Sequence, residues 1–169
     1  KTEIIGIAYC VGSIDIKPFR LTKANDFVSS YVLNLVAVTE IIRNFQENLK
    51  NNKASIVLFS TVAAKKGFSN HSIISSAKAA IEGLTVALAA ELAPNIRINC
   101  IAPSLTKSKI ASTVIKNSTI EESIAKMHPL KRIGQGIDSA NLANFLLTDK
   151  SSWITGQIIG VDGGRSNIA

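Results

Sequence analysis

Residues 72–104 read SIISSAKAAIEGLTVALAAELAPNIRINCIAPS, and the order of patterns within them decides the fold. Ile73, Ala77, Ile81, Leu84, Leu88 and Leu92 recur at helical spacing, which predicts a helix over 72–93. Pro94 and Asn95 stop it. Residues 96–102, rich in Ile, then read as a third buried strand, and Pro103-Ser104 ends it. The remaining helix positions are small (Ala79, Gly83, Ala87, Ala89, Ala90), so a second helix can approach closely.

The same alternation extends both ways. Residues 4–10 form another apolar run, followed by Gly12-Ser13. A helix is predicted over 22–49, with Thr22 as its cap, Asn25 and Asp26 in its first turn, and Val28, Tyr31, Leu35, Val38, Ile42 and Phe45 as its stripe. Asn51-Asn52 breaks it, and residues 55–60 give a second buried strand. Downstream, residues 107–126 suit a weakly amphipathic helix or lid, 138–147 a helix, and 157–161 a fourth strand that turns out at Asp162-Gly163-Gly164. Apolar strands joined by helical crossovers imply an α/β fold with a parallel sheet covered on both faces. Ligands bind such sheets at the carboxyl ends of the strands. Here those ends are residues 9–13, 60–64, 103–108 and 161–164.

Composition narrows the classes. The 169 residues include 46% hydrophobic and 18% charged residues, which excludes a disordered polymer and fits one domain over 1–169. No run approaches 18 consecutive apolar residues, so no membrane span is expected. Lys1 and Glu3 flank a short run without the form of a signal peptide, and position 1 is not Met, which suggests a start inside a longer reading frame or after processing. Cys10 and Cys100 make neither a disulfide framework nor a metal site, and two isolated thiols fit a reducing cytoplasm. The net charge is +7, with six basic and two acidic residues over 107–132. That segment is either a solvated face or a site for acidic ligands. Nucleic acid is not expected, since aromatics do not interleave with the basic residues.

Several stretches together resemble the short-chain dehydrogenase/reductase family. They are Ser76-Ala77-Lys78-Ala79-Ala80 with Glu82-Gly83-Leu84-Thr85, then Arg97-Ile98-Asn99-Cys100-Ile101-Ala102-Pro103-Ser104. Further on come His128-Pro129-Leu130-Lys131-Arg132-Ile133-Gly134, Ser152-Trp153-Ile154-Thr155-Gly156 and Val161-Asp162-Gly163-Gly164. The resemblance implies a Rossmann-like doubly wound sheet and NAD or NADP as cofactor. It implies hydride transfer between nicotinamide and a small carbonyl or alcohol compound, and assembly as a dimer or tetramer through helices 22–49 and 72–93. It assigns Asn34, Thr61 and Lys78 to catalytic positions, with Ser60 a weaker alternative to Thr61. Gly12, Lys78, Ile101, Pro103, Ser104 and Ser108 fall at cofactor positions, Gly12 on the adenine-ribose side. Residues 107–135 correspond to the substrate lid.

Two departures matter. The family's catalytic tyrosine falls at Ile74, which has no proton to give; His71 is either a surrogate acid or an ordinary helix-entry residue. The family's glycine-rich phosphate loop and first three strands have no counterpart, leaving about four strands with residues 4–10 as a long apolar edge. Gly156, Gly160 and Gly163 are spaced almost like that loop but open no helix, so they read as turn glycines. Three functions follow as alternatives: an oxidoreductase impaired when this chain stands alone, a non-catalytic cofactor-binding or assembly subunit, or a truncated relic.

Overall fold

Four parallel strands lie side by side in chain order: β1 (Gly6–Ala8), β2 (Ser55–Phe59), β3 (Arg97–Pro103) and β4 (Ile158–Val161). The computed structural model describes residues 2–168. Gly6 sits opposite Ser55, Ser55 opposite Arg97, and Cys100 opposite Ile158. Helix α1 (Ala24–Tyr31), a π-helical turn (Val32–Val36) and α2 (Ala37–Asn51) connect β1 to β2. Helix α3 (Ser72–Leu92) connects β2 to β3, and α4 (Ser118–Lys126) with α5 (Gly136–Leu147) connects β3 to β4. The expected parallel α/β architecture is the one that forms.

Side-chain alternation along the central strands builds two cores. Ile56 and Leu58 of β2, with Ile98 and Cys100 of β3, pack against Val38, Ile42 and Leu49 of α2 and Ile81 and Ala89 of α3. Val57 and Ile101 point the other way, onto Ala143 and Leu146 of α5. Each fully buried aliphatic side chain contributes about 1.5–3 kcal/mol. Burial on both faces explains why Ile56–Phe59 of β2 reads as an unbroken apolar run.

Several boundaries differ from the sequence expectation. The strand expected over 4–10 has only three residues in regular pairing, and Ile5 is 70% exposed. Its strand pairing runs on one side only, to β2, from Ser55 N–H to the Ile5 carbonyl through Tyr9 N–H to the Val57 carbonyl. It is therefore a short edge rather than a doubly buried strand. Thr22 does not cap α1; its hydroxyl donates to the Phe19 carbonyl. Lys23 occupies the cap, and its N–H donates to the Asp26 carboxylate, which also pairs with Lys17 at 2.7 Å. The 107–126 segment is a 3-10 turn (Ile110–Thr113) and then α4, capped by the Asn117 side chain accepting from Ile120 N–H. Its basic character is partly neutralised internally, because Lys107 pairs with Glu121 at 2.6 Å.

Among the described residues, α3 is the one helix long and apolar enough to cross a membrane. Its inward face packs on the sheet and buries Lys78, Glu82 and Thr85, polar groups that lipid would penalise. It is a core helix.

Helix α5 is fixed at both ends. Arg97 donates to the Leu146, Thr148 and Ile154 carbonyls and to the Ser151 hydroxyl, satisfying acceptors that a helix end leaves open. At the other end, Asp138 accepts from Gln135 N–H and takes both arms of the Arg132 guanidinium, at 2.7 and 2.9 Å. These partners hold the Asp138 carboxyl at about 2. An unfolded aspartate titrates near 3.9. A carboxyl lowered in the folded state contributes stability that is complete above the unfolded value and lost as pH falls through the folded one. Asp138→Asn should therefore flatten the decline of the urea midpoint between about pH 4 and about pH 2, followed by circular dichroism; an unchanged decline would contradict this role.

Candidate functional site

The strand exits expected to hold chemistry, at residues 9–13, 60–64, 103–108 and 161–164, share one end of the sheet. Asn34 sits in the π-helical turn, a distortion that often marks functional sites. It is completely buried. Its amide donates to the Ser30 carbonyl at 2.9 Å, while its Oδ1 has no partner. Lys78 is 8% exposed on α3, and its Nζ donates to the Phe59 carbonyl at the end of β2, at 2.9 Å. Burial pushes its pKa below the ordinary lysine value.

Gly12 joins these two groups. A Cβ on Gly12 would lie 2.8 Å from Asn34 Oδ1 and 3.2 Å from Lys78 Nζ. Gly12 lies against the two polar groups, and its missing side chain lets the β1 exit approach them. The orphaned acceptor and the spare ammonium hydrogens face this common point.

Thr61 and Ser60 separate cleanly. Ser60 is buried, and its hydroxyl lies 2.8 Å from Glu82 Oε1 on α3 as donor. Thr61 is half-buried at the strand exit, and its hydroxyl accepts weakly from Ala63 N–H at 3.3 Å. The Thr61 O–H hydrogen therefore remains available to a ligand. Ile74, at the position a tyrosine would hold, is buried in the α3 core. His71 Nδ1 lies 2.7 Å from the Ser69 carbonyl. A carbonyl only accepts, so Nδ1 carries the proton and is spent on the main chain.

The remaining expected cofactor contacts are less open than anticipated. The Ile101 side chain is fully buried against α5 and presents no surface to a ligand. Pro103 ends β3, and the Ser104 hydroxyl is engaged at 2.8 Å with His128 Nε2. Ser108 is exposed, and its hydroxyl accepts from Ala111 N–H in the manner of a helix cap. His128 was visible in the sequence only as part of a longer motif. It is buried, and its Nδ1 donates to the Ile124 carbonyl, so it ties the end of α4 to the β3 exit. A cleft of about 420 Å³ opens beside it, lined by Ser104, His128 and Asp162–Gly164 among others. Another of about 350 Å³ lies between Lys107 and Arg132 under α4. Asn34, Thr61 and Lys78 line neither.

Gly12→Ala should destabilise the protein by about 1–3 kcal/mol through forced repacking. The same substitution in an Asn34→Ala background should cost clearly less, because the nearest obstacle is gone. Urea midpoints of the four proteins measure this; additive costs would mean that Gly12 and Asn34 do not meet.

The sequence model of a family described as enoyl-(acyl carrier protein) reductase matches residues 3–166. A tropinone reductase homolog of Arabidopsis thaliana, described as chloroplastic, is 36% identical over 158 residues, covering 92% of this chain and 49% of that protein. The human dehydrogenase/reductase SDR family member 4 is 38% identical over 119 residues, 68% of this chain and 42% of that protein. A short-chain type dehydrogenase/reductase structure from Mycobacterium ulcerans superposes with a TM-score of 0.89 at 28% identity, over 97% of this chain and 61% of that one. One from Brucella melitensis gives 0.90 at 28% identity, over 96% and 65%. The chain spans about half the length of the curated relatives it matches. With that match over residues 3–166, and with its parallel sheet and strand-end cluster, the chain belongs to the short-chain dehydrogenase/reductase family.

Proposed function

We propose that residues 1–169 form one Rossmann-like domain of an NAD(P)-dependent oxidoreductase acting on a small carbonyl or alcohol compound, with residues 107–135 as its substrate lid. The observation that carries this reading is the buried Asn34–Gly12–Lys78 arrangement. Its orphaned Oδ1 and spare ammonium hydrogens face one point at the strand ends.

The residues present fit the nicotinamide-ribose end of such a cofactor. Lys78 has two N–H bonds left for ribose hydroxyls, and Gly12 carries no side chain to crowd them. Nothing in the described residues provides a glycine-rich phosphate cradle of the Rossmann type. When bound, the cofactor supplies or accepts hydride. The chain's own groups do the rest. Thr61 donates its hydroxyl hydrogen to the substrate oxygen, and Lys78 holds positive charge beside it. Protonation of that oxygen is the weak point, since Ile74 carries no acid. Losing a positioned acid costs about 10²–10⁴ in rate.

A second reading, a cofactor-binding or assembly subunit without turnover, is favoured by that same Ile74. Self-association supports both. Val28, Val32 and Val36 on α1 and the π turn, Phe45 on α2 and Val86 on α3 are exposed, beside the small Gly83 and Ala87. We place a dimer or tetramer interface there. A reducing, cytoplasmic location rests on the free Cys10 and on Cys100, whose thiol burial pushes up to about 12.

The test uses the protein together with any upstream coding region. NADH and NADPH are titrated by fluorescence, then reduction of diketones and acetoacetyl thioesters is followed. Cofactor binding that is lost in Lys78→Met, with slow turnover that Ile74→Tyr raises by about 10² or more, is the expected result. Binding without turnover in either protein would favour the second reading, and no binding of either nucleotide would overturn both. Light scattering with Val32→Lys, expected to give a monomer, checks the interface.

A further inference from the structure

Arg165 lies in the turn after β4, outside every role described so far. Its guanidinium carbon stands 4.9 Å from the centre of the Phe68 ring. Its Nη2 is 3.4 Å from the Met127 sulfur, a weak acceptor. Phe68 belongs to the loop between Thr61 and α3, and Met127 is the first residue past α4. Beside them, Lys66 donates to the Arg165 carbonyl at 2.8 Å. Since the strands run in chain order, this link bridges the exits of β2 and β4 and passes across the exit of β3 between them. It therefore stands on the rim that also carries Thr61 and Ser104.

Among the described residues, no carboxylate pairs with either cation. Of the other arginines, Arg132 is spent on Asp138, Arg43 on Glu40 and Arg97 on four oxygens, while Arg20 is exposed to water. Arg165 has no such partners, yet it is partly buried, and burial lowers its pKa from the ordinary arginine value. A guanidinium at this depth remains charged and loses part of its hydration without a counter-charge. The guanidinium lies over Phe68, and with Nη2 on the Met127 sulfur its Nε and Nη1 N–H groups take no protein partner among the described residues. Guanidinium N–H groups match carboxylate or phosphate oxygens two at a time.

We propose that Arg165, with Lys66 beside it, binds an anionic group of the substrate, a carboxylate or a phosphate monoester, while the carbonyl to be reduced faces Thr61. This rests on the oxidoreductase reading for its biological meaning, but the binding itself does not. The substrate class is then an oxo or hydroxy acid, or a phosphorylated ketone or alcohol, rather than a neutral one.

Calorimetric titration tests it with three probes: acetoacetate, dihydroxyacetone phosphate and the neutral methyl acetoacetate. At least one anion should bind about tenfold or more tightly than the ester. Arg165→Met should abolish that preference without changing NADPH affinity. Arg165→Lys, which keeps the charge but not the fork, should lose most of it; it also carries the test should Arg165→Met not fold. Which anion wins distinguishes the carboxylate from the phosphate source. Equal binding of all three probes, no binding of either anion, or an undiminished preference in both variants would overturn the proposal. An Arg165-dependent anion preference in a protein that binds no nucleotide would sink the oxidoreductase reading and leave this one standing. Nucleotide binding without anion preference would do the reverse.

Discussion

The Lys78 ammonium donates to the Phe59 carbonyl, and with Ser60 donating to Glu82 it ties the longest helix to the end of a central strand. Taking an ammonium out of water costs several kcal/mol, and a hydrogen bond to a charged group returns about 1.5–3. No carboxylate pairs with Lys78 among the described residues. The balance is therefore unfavourable on its own. It is carried by the packing around it: Ala77, Ile81 and Thr85 of α3 are fully buried or nearly so, and β2 is buried along its first four residues. A lysine kept at a net cost inside such a core is what a functional site asks for, not what stability asks for.

The opposite wall of the site depends on backbone distortion instead. The π turn rotates Asn34 inward, and two phenols hold that turn in place. Tyr9 donates from the β1 exit to the Leu33 carbonyl at 2.9 Å, and Tyr31 donates to the Ser76 carbonyl of α3 at 3.2 Å. Burial raises the Tyr9 pKa further, so it stays protonated and serves as a strut. The chain thus retains tyrosine as a structural tie on both sides of Asn34 while placing isoleucine where a phenol acid would stand.

The parallel order of the strands and the residues at their ends were legible in the sequence, because doubly buried strands and long helices each leave a period that few other arrangements produce. The sequence already ranked Thr61 above Ser60, but the physical reason, Glu82 claiming the Ser60 hydroxyl across 22 residues of chain, shows only in the fold. The π turn was invisible because one extra residue in a helical turn barely alters an apolar stripe. β1 was overestimated for a related reason: Ile4, Ile5 and Ile7 look alike in sequence, and only their neighbours in space decide that Ile5 faces solvent. Gly12 was recognised as a constrained glycine, but the groups that constrain it were not legible. Its constraint is a close approach to Asn34 and Lys78, which come from 22 and 66 residues away.

On the proposed oxidoreductase reading, what remains is how much the isoleucine removes. Ile74 is 4% exposed, so it belongs to the α3 core and does not open a channel for water at that point. A replacement proton must arrive from the open side of the strand ends, past Thr61, rather than along the helix. The missing acid accounts for about 3–5 kcal/mol of barrier, whereas enzymes lower barriers by about 8–23 kcal/mol in all. Under that reading, holding the substrate oxygen at Thr61 and placing charge at Lys78 are separate contributions that the substitution leaves in place. The loss of the phenol therefore slows such a site without dismantling it. Substrates whose oxygen gathers little negative charge, or whose own anionic group fixes them firmly, would feel the loss least.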